Sequence, residues 1–154
     1  MTFHKDYANF LKKCIETKKN SNNDNNPSNS LDNDNKKNDE DYQQYMNVLI
    51  HSSDISNPTK PFDIYFIWAD LVVKEFYDQG DKEKKLNLPC SCDRNKVTIY
   101  QSQLGFINFI EIPYFSLLAE LYPKMHFFYE NLLNNKNILL SMQEKEKDKI
   151  KNGK

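Results

Sequence analysis

The chain has 154 residues carrying 21 basic and 22 acidic side chains, a formal net charge of −1. That length admits at most one domain, and the charge balance leaves no basic field to draw it onto nucleic acid or an anionic membrane. Three cysteines and three glycines argue against a disulfide framework, point to a reducing, cytoplasmic setting and, with abundant Leu, Ile, Phe, Lys and Glu, give an all-α fold class.

The opening Met1-Thr-Phe-His4 does not read as a signal peptide, because charge and a histidine stand where an apolar segment should be. No run of about 18 apolar residues is present, so no membrane segment is expected. Phe3, Tyr7, Phe10, Leu11, Cys14 and Ile15 recur at helical spacing and predict a helix ending near Lys19. From Asn20 to Asp41, nine of 22 residues are asparagine; such a tract buries too little apolar surface to offset its chain entropy, so residues 20–41 are predicted to be a disordered insertion. It divides a domain of residues 1–143, which a charged, solvated tail, 144–154, follows.

Beyond the insertion, Tyr45, Met46, Leu49 and Ile50 form a short helical face leading to Asp54. Phe62, Tyr65, Ala69, Val72 and Phe76 predict a long helix with Pro61 suited to its start and Gly80 near its end. Residues 81–96 read as a charged surface loop. Val97, Tyr100, Leu104, Ile107 and then Phe109 or Ile110 mark the next helix, closed by Pro113. Pro113 opens another, with Leu117, Leu118 and Leu121, broken at Pro123, and a last helix runs from Met125 to Gln143.

Asp54 follows an apolar helix end instead of starting a helix, and a Pro-bracketed turn comes next, so its carboxylate is placed to point into a cleft or onto a metal. Asn57 offers a second polar group on the same turn. Gln103 sits among Leu104, Phe106 and Ile107, and a buried amide needs partners; a ligand with paired donor and acceptor edges, such as a purine, is one. Phe106, three residues on, reads as core packing or as a surface for stacking on a flat ring. His51, one turn before Asp54, supports that carboxylate from behind or is a satisfied core or capping histidine. Cys90-Ser-Cys92 lacks the second pair that a zinc site requires.

Taken in order, Asp54-Ile-Ser-Asn57-Pro58-Thr59-Lys60-Pro61, Tyr65, Trp68, Glu75-Phe76-Tyr-Asp-Gln-Gly-Asp81-Lys-Glu83, Cys92-Asp93-Arg94 and Ser102-Gln103-Leu-Gly105-Phe106-Ile107 resemble the C-terminal half of a class I 3′,5′-cyclic nucleotide phosphodiesterase catalytic domain, with an apicomplexan-like Asn-rich insertion. The likeness runs from Asp54 to Pro113 and more loosely from Met1 to Met142. It implies a partial multi-helix, HD-type catalytic domain that hydrolyses cAMP, cGMP or both to the 5′-monophosphate. By resemblance, Asp54 completes the tighter, zinc-type metal site, and Gln103 hydrogen-bonds the purine edge. Phe106 and Val72 are the two sides of the base clamp, and Asn57, Tyr65, Trp68 and Ala69 line the pocket. The stretch Asp81 to Cys92 corresponds to a mobile loop at the pocket mouth and is about two residues short of the family form.

The family site uses two divalent metals, zinc and magnesium or manganese, with a general-acid histidine. Its other ligands come from H-x-x-x-H and H-D motifs upstream of the stretch that Met1-Thr-Phe-His4 resembles. The expectation is therefore that this chain holds no catalytic general acid, is inactive by itself, and has as partners a cyclic nucleotide and the N-terminal half of the domain. The full-length protein is cytoplasmic or membrane-anchored on this reading. The contrasting expectation is a non-catalytic helical remnant that binds a nucleotide or a partner helix.

Overall fold

A computed structural model describes residues 2–21 and 34–152, and the described residues form helices without a strand. In chain order these are α1 (Thr2–Ser21), α2 (Asp34–Asp54), a 3-10 turn (Asn57–Thr59), α3 (Phe62–Lys85) and α4 (Ile99–Phe106). A π turn (Ile107–Glu111), α5 (Ile112–Leu121), a second 3-10 turn (Pro123–Met125) and α6 (His126–Asn152) complete the series. The all-α expectation holds. Much of the predicted insertion, residues 22–33, lies outside the described residues, but α2 already begins at Asp34, within the tract expected to be disordered. The tail is also helical, since α6 continues through the Lys/Glu run to Asn152.

The core is assembled from one stripe of each helix. Leu11 and Ile15 of α1, Val48 of α2, Tyr65 and Ala69 of α3, Leu104 of α4, Tyr114, Phe115 and Leu118 of α5, and Leu132 and Leu139 of α6 are all buried in one cluster. α5 packs on both α1 and α6, and α4 on α3 and α6. The end of α1 is pinned to the end of α5: Lys18 Nζ donates to the Leu121 carbonyl at 3.2 Å and Lys19 pairs with Glu120 at 2.7 Å. Basic residues at that end also suit the helix dipole.

α4, the π turn and α5 run on without a break as a 23-residue helix, Ile99–Leu121, which by length and composition is apolar enough to cross a membrane. The run count in the sequence missed this because polar residues interrupt it. Here that helix is the central element of the core. It starts at a capping box: Thr98 Oγ1 accepts from the Gln101 backbone N–H at 3.2 Å, and Gln101 Oε1 accepts from the Thr98 N–H at 2.9 Å. Pro113 lies in the first turn of α5, directly after the π turn, so it closes nothing.

The end of α3 differs from expectation. Gly80 does not end α3; a side chain there would run into the Cys92 carbonyl, so glycine serves close approach of the 86–98 loop. The stop is Asn87, whose φ of 54° is left-handed, with the Leu88 N–H donating back to the Glu83 carbonyl at 2.9 Å. That loop is tied down by charge. Arg94 reaches Asp78 at 2.9 Å and Asp81 at 2.8 Å, Lys84 pairs with Asp93 at 2.6 Å, and the Ser91 N–H donates to Glu83 at 2.8 Å.

Candidate functional site

α2 stops at Asp54 because Pro58 has no N–H to continue a helix, and the chain turns through local bonds instead. The Ser56 hydroxyl donates to the Ser53 carbonyl at 2.7 Å, and the Thr59 hydroxyl donates to the Ser56 carbonyl, also at 2.7 Å. The turn is then held from across the molecule. Asn135, buried on α6, donates its two amide hydrogens to the carbonyls of Pro58 at 2.8 Å and Lys60 at 2.7 Å. Asn135 carries no signal in the sequence, because an asparagine inside a helix normally faces solvent.

This turn, α3 and α4 enclose a cavity of about 500 Å³. Asp54, Asn57, Tyr65, Trp68, Ala69, Val72, Gln103 and Phe106 all line it. Eight of the nine residues singled out in the sequence are therefore neighbours in space. Ile55, Phe76, Phe109 and Ile110 also contribute to the wall. Of Phe109 and Ile110, the alternatives for the last apolar position of the predicted helix, Phe109 is 81 % exposed, and the core position one turn after Ile107 is taken by Glu111. The π turn accounts for this, since its wider coil shifts which residues face inward.

The walls are apolar and half-open: Trp68, Val72 and Phe106 all keep substantial exposure. Polar groups are few. Gln103 is buried, and its Oε1 accepts a hydrogen bond from the Tyr65 hydroxyl at 3.0 Å. With the oxygen engaged, Nε2 is the end of the amide left to donate. Burial, and after it the charge of Glu111, holds the Tyr65 hydroxyl well above the usual phenol range, so it stays a donor. Asn57 Oδ1 accepts from Lys60 Nζ at 3.3 Å. Asp54, at the mouth, is exposed.

His51, the ninth residue, is not part of the cavity wall. It is joined to His4 by a hydrogen bond of 2.9 Å between His51 Nε2 and His4 Nδ1, with Tyr7 and Tyr114 against its ring. Burial lowers both imidazoles; for His51 the neighbouring His4 lowers it further while Asp54 opposes the shift.

A family model described as 3'5'-cyclic nucleotide phosphodiesterase matches residues 1–132. The chain belongs to this family. Among curated phosphodiesterases, the probable 3',5'-cyclic-AMP phosphodiesterase pde-4 of Caenorhabditis elegans is 41% identical over 108 residues, 68% of this chain and 16% of that protein. The dual specificity calcium/calmodulin-dependent 3',5'-cyclic nucleotide phosphodiesterase 1B of Bos taurus is 43% identical over 86 residues, 54% of this chain and 16% of that protein. The phosphodiesterase domain of Salpingoeca rosetta rhodopsin phosphodiesterase superposes with a TM-score of 0.76 at 23% identity, over 100% of this chain and 44% of that one, a likeness of fold. The chain thus spans less than a fifth of these curated relatives and under half of the solved domain.

The family implies dependence on divalent metal. The described residues do not supply a donor set for one. Asp54 stands alone, and no three of their His, Cys, Asp or Glu side chains come close enough together to hold an ion.

Proposed function

We propose that the cavity receives the base of a 3',5'-cyclic nucleotide and that this chain forms the base-recognising part of a cyclic nucleotide phosphodiesterase. The observation that carries the reading is Gln103: a buried amide whose oxygen is tied to Tyr65, leaving its NH2 group as the donor at the wall of a largely apolar cavity. A flat ring with an acceptor nitrogen or oxygen on its edge fits such a wall, with Phe106, Val72 and Trp68 supplying apolar contact. In this reading Asp54, at the cavity mouth, is one ligand of a zinc site. A second ion, magnesium or manganese, and the general acid come from groups outside the described residues. The three unpaired cysteines favour a reducing, cytoplasmic setting.

Trp68 is the single tryptophan and lines the cavity, so its fluorescence reports occupancy. Titration with cAMP and cGMP is expected to quench it, and Gln103→Ala to weaken binding by about three- to tenfold, the worth of one neutral hydrogen bond. Titrations that leave Trp68 unchanged would refute the proposal. The chain is expected to bind without turnover; hydrolysis in magnesium or manganese that Asp54→Ala abolishes would overturn that part. A second reading, a non-catalytic partner for another helix, is favoured by one feature: Ile64, Ile67 and Leu71 make an exposed apolar stripe along α3. Loss of self- or partner-association on Ile67→Glu with nucleotide binding absent would select it.

A further inference from the structure

Lys60 does not line the cavity, yet it is tied to a residue that does. Its side chain is half-buried, and among the described residues it pairs with no carboxylate. It donates instead to two neutral oxygens of the turn, Ser56 Oγ and Asn57 Oδ1, each at 3.3 Å. Ser56 Oγ is open to accept because its own proton goes to the Ser53 carbonyl at 2.7 Å. The backbone of Lys60 is held from both sides. Its N–H donates to the Asn57 carbonyl at 3.2 Å, and its carbonyl accepts from Asn135 at 2.7 Å. The stem that carries the ammonium therefore starts from a point that α6 fixes.

An ammonium has donors and no acceptor, so the atom of the Asn57 amide that faces it is the oxygen. The NH2 group is left at the other end. It makes no hydrogen bond among the described residues. Nor is it sealed in the core: among the described residues, the buried side-chain polar atoms without a partner are the two carboxylate oxygens of the fully buried Glu111. The open space that Asn57 lines is the cavity. A free carboxamide turns over between two orientations that exchange a donor for an acceptor. Here a bond from a charged donor, stronger than one between neutral groups, chooses between them.

We propose that Lys60 is a positioning residue for Asn57: its ammonium holds the amide oxygen away from the cavity, so that the side chain meets a bound base as a donor and selects a ring edge carrying an acceptor. Purine rings carry such acceptors, N7 in both adenine and guanine, whereas an exocyclic amine brought to this point would set donor against donor. The inference rests on reading the cavity as the site of the base. It adds to that reading what Asn57 offers and which residue decides it, and the link it describes exists without ligand.

The test reads the 13C signal of the Asn57 side-chain carboxamide in the 154-residue protein and, in parallel, cAMP binding by Trp68 fluorescence. Lys60→Met keeps the stem and removes the ammonium. The signal is expected to shift without ligand. Binding is expected to weaken about two- to fivefold, as the fraction of molecules with NH2 toward the cavity falls to about a half to a fifth. Lys60→Arg, which again offers donors to Oδ1, is expected to restore both. In an Asn57→Ala background Lys60→Met is expected to change binding no further, because a lysine that merely held the turn would act with or without Asn57. A weakening that persists in that background, or a carboxamide signal that Lys60→Met leaves in place, overturns the proposal. Asn57→Asp keeps an acceptor for Lys60 and has no donor, and it is expected to bind cAMP about three- to tenfold more weakly. Binding equal to wild type in that variant overturns the proposal whether or not Lys60→Met folds. A carboxamide that shifts in Lys60→Met with no cAMP binding by any variant, wild type included, sinks the reading of the cavity and leaves the link between Lys60 and Asn57 standing. Wild-type cAMP binding that no Lys60 variant alters does the reverse.

Discussion

Replacing Glu111 by glutamine keeps the shape of the buried side chain and removes its proton equilibrium, so the variant isolates what that equilibrium does to stability. In the folded protein burial pushes the acid up to about 8, against an ordinary value of 4.5. Between those two values the folded state keeps a proton that the unfolded chain releases, and stability falls as pH rises through the window. At 1.36 kcal/mol per unit, the interval amounts to about 5 kcal/mol as an upper bound, a large share of the roughly 5–15 kcal/mol that holds a domain together. Urea unfolding of wild type and Glu111→Gln, measured at steps from pH 4 to pH 9, gives the difference directly. The advantage of the variant is expected to be small in acid, to grow steadily above the ordinary carboxylate range, and to level off beyond about 8. A difference that is the same at every pH would show that Glu111 is not a neutral acid in the folded core. Glu111→Leu is expected to stabilise as well, since the site is otherwise lined by apolar groups.

Asn135→Ala removes both donors from the carbonyls of Pro58 and Lys60 and is expected to cost about 1–3 kcal/mol per buried group left unpaired, read by urea unfolding, with faster amide exchange in residues 55–60. Gly80→Ala drives a methyl group into the Cys92 backbone and is expected to destabilise by about 1–3 kcal/mol. Gly105→Ala meets nothing and should gain about 0.5–1 kcal/mol of helix stability, while narrowing the cavity it lines; thermal melts compare the two, and equal effects would refute the close-approach argument. His4 and His51 both titrate below 6.5 when folded. Their neutral pairing therefore supports the fold above that pH, and stability is lost as pH falls below it. His51→Gln should flatten this acid limb, and an unchanged limb would exclude the pair as its source.

What the sequence revealed was carried by local signals. The helical class, the stop after Asp54 and the polar residues amid apolar neighbours, Gln103 above all, are legible from residue type and spacing, and eight of the nine chosen positions meet at one cavity. The failures share a cause. Gly80 reads as a terminator because glycine usually is one; its true reason is a carbonyl that arrives twelve residues later in the chain. Asn87 lies in the stretch read as a charged surface loop and is the left-handed cap. Phe109, read with Ile110 as an apolar helix position, is left exposed while the π turn buries Glu111, which carried no signal in the sequence. Asn135 has no local signature at all, since both its acceptors belong to another element.

The bonds from Asn135 span 75 and 77 positions of chain, and this orders events in time. A ribosome delivers the Asp54–Pro61 turn, α3 and α4 well before α6, so every helix that lines the cavity can form while its turn is still unfastened. Closing so long a loop is entropically unfavourable, and only the packing of Leu132 and Leu139 into the core offsets it. The cavity wall is thus among the last parts of the molecule to become rigid. A chain released before Asn135 would fold its helices and lack the fixed shape that recognition requires.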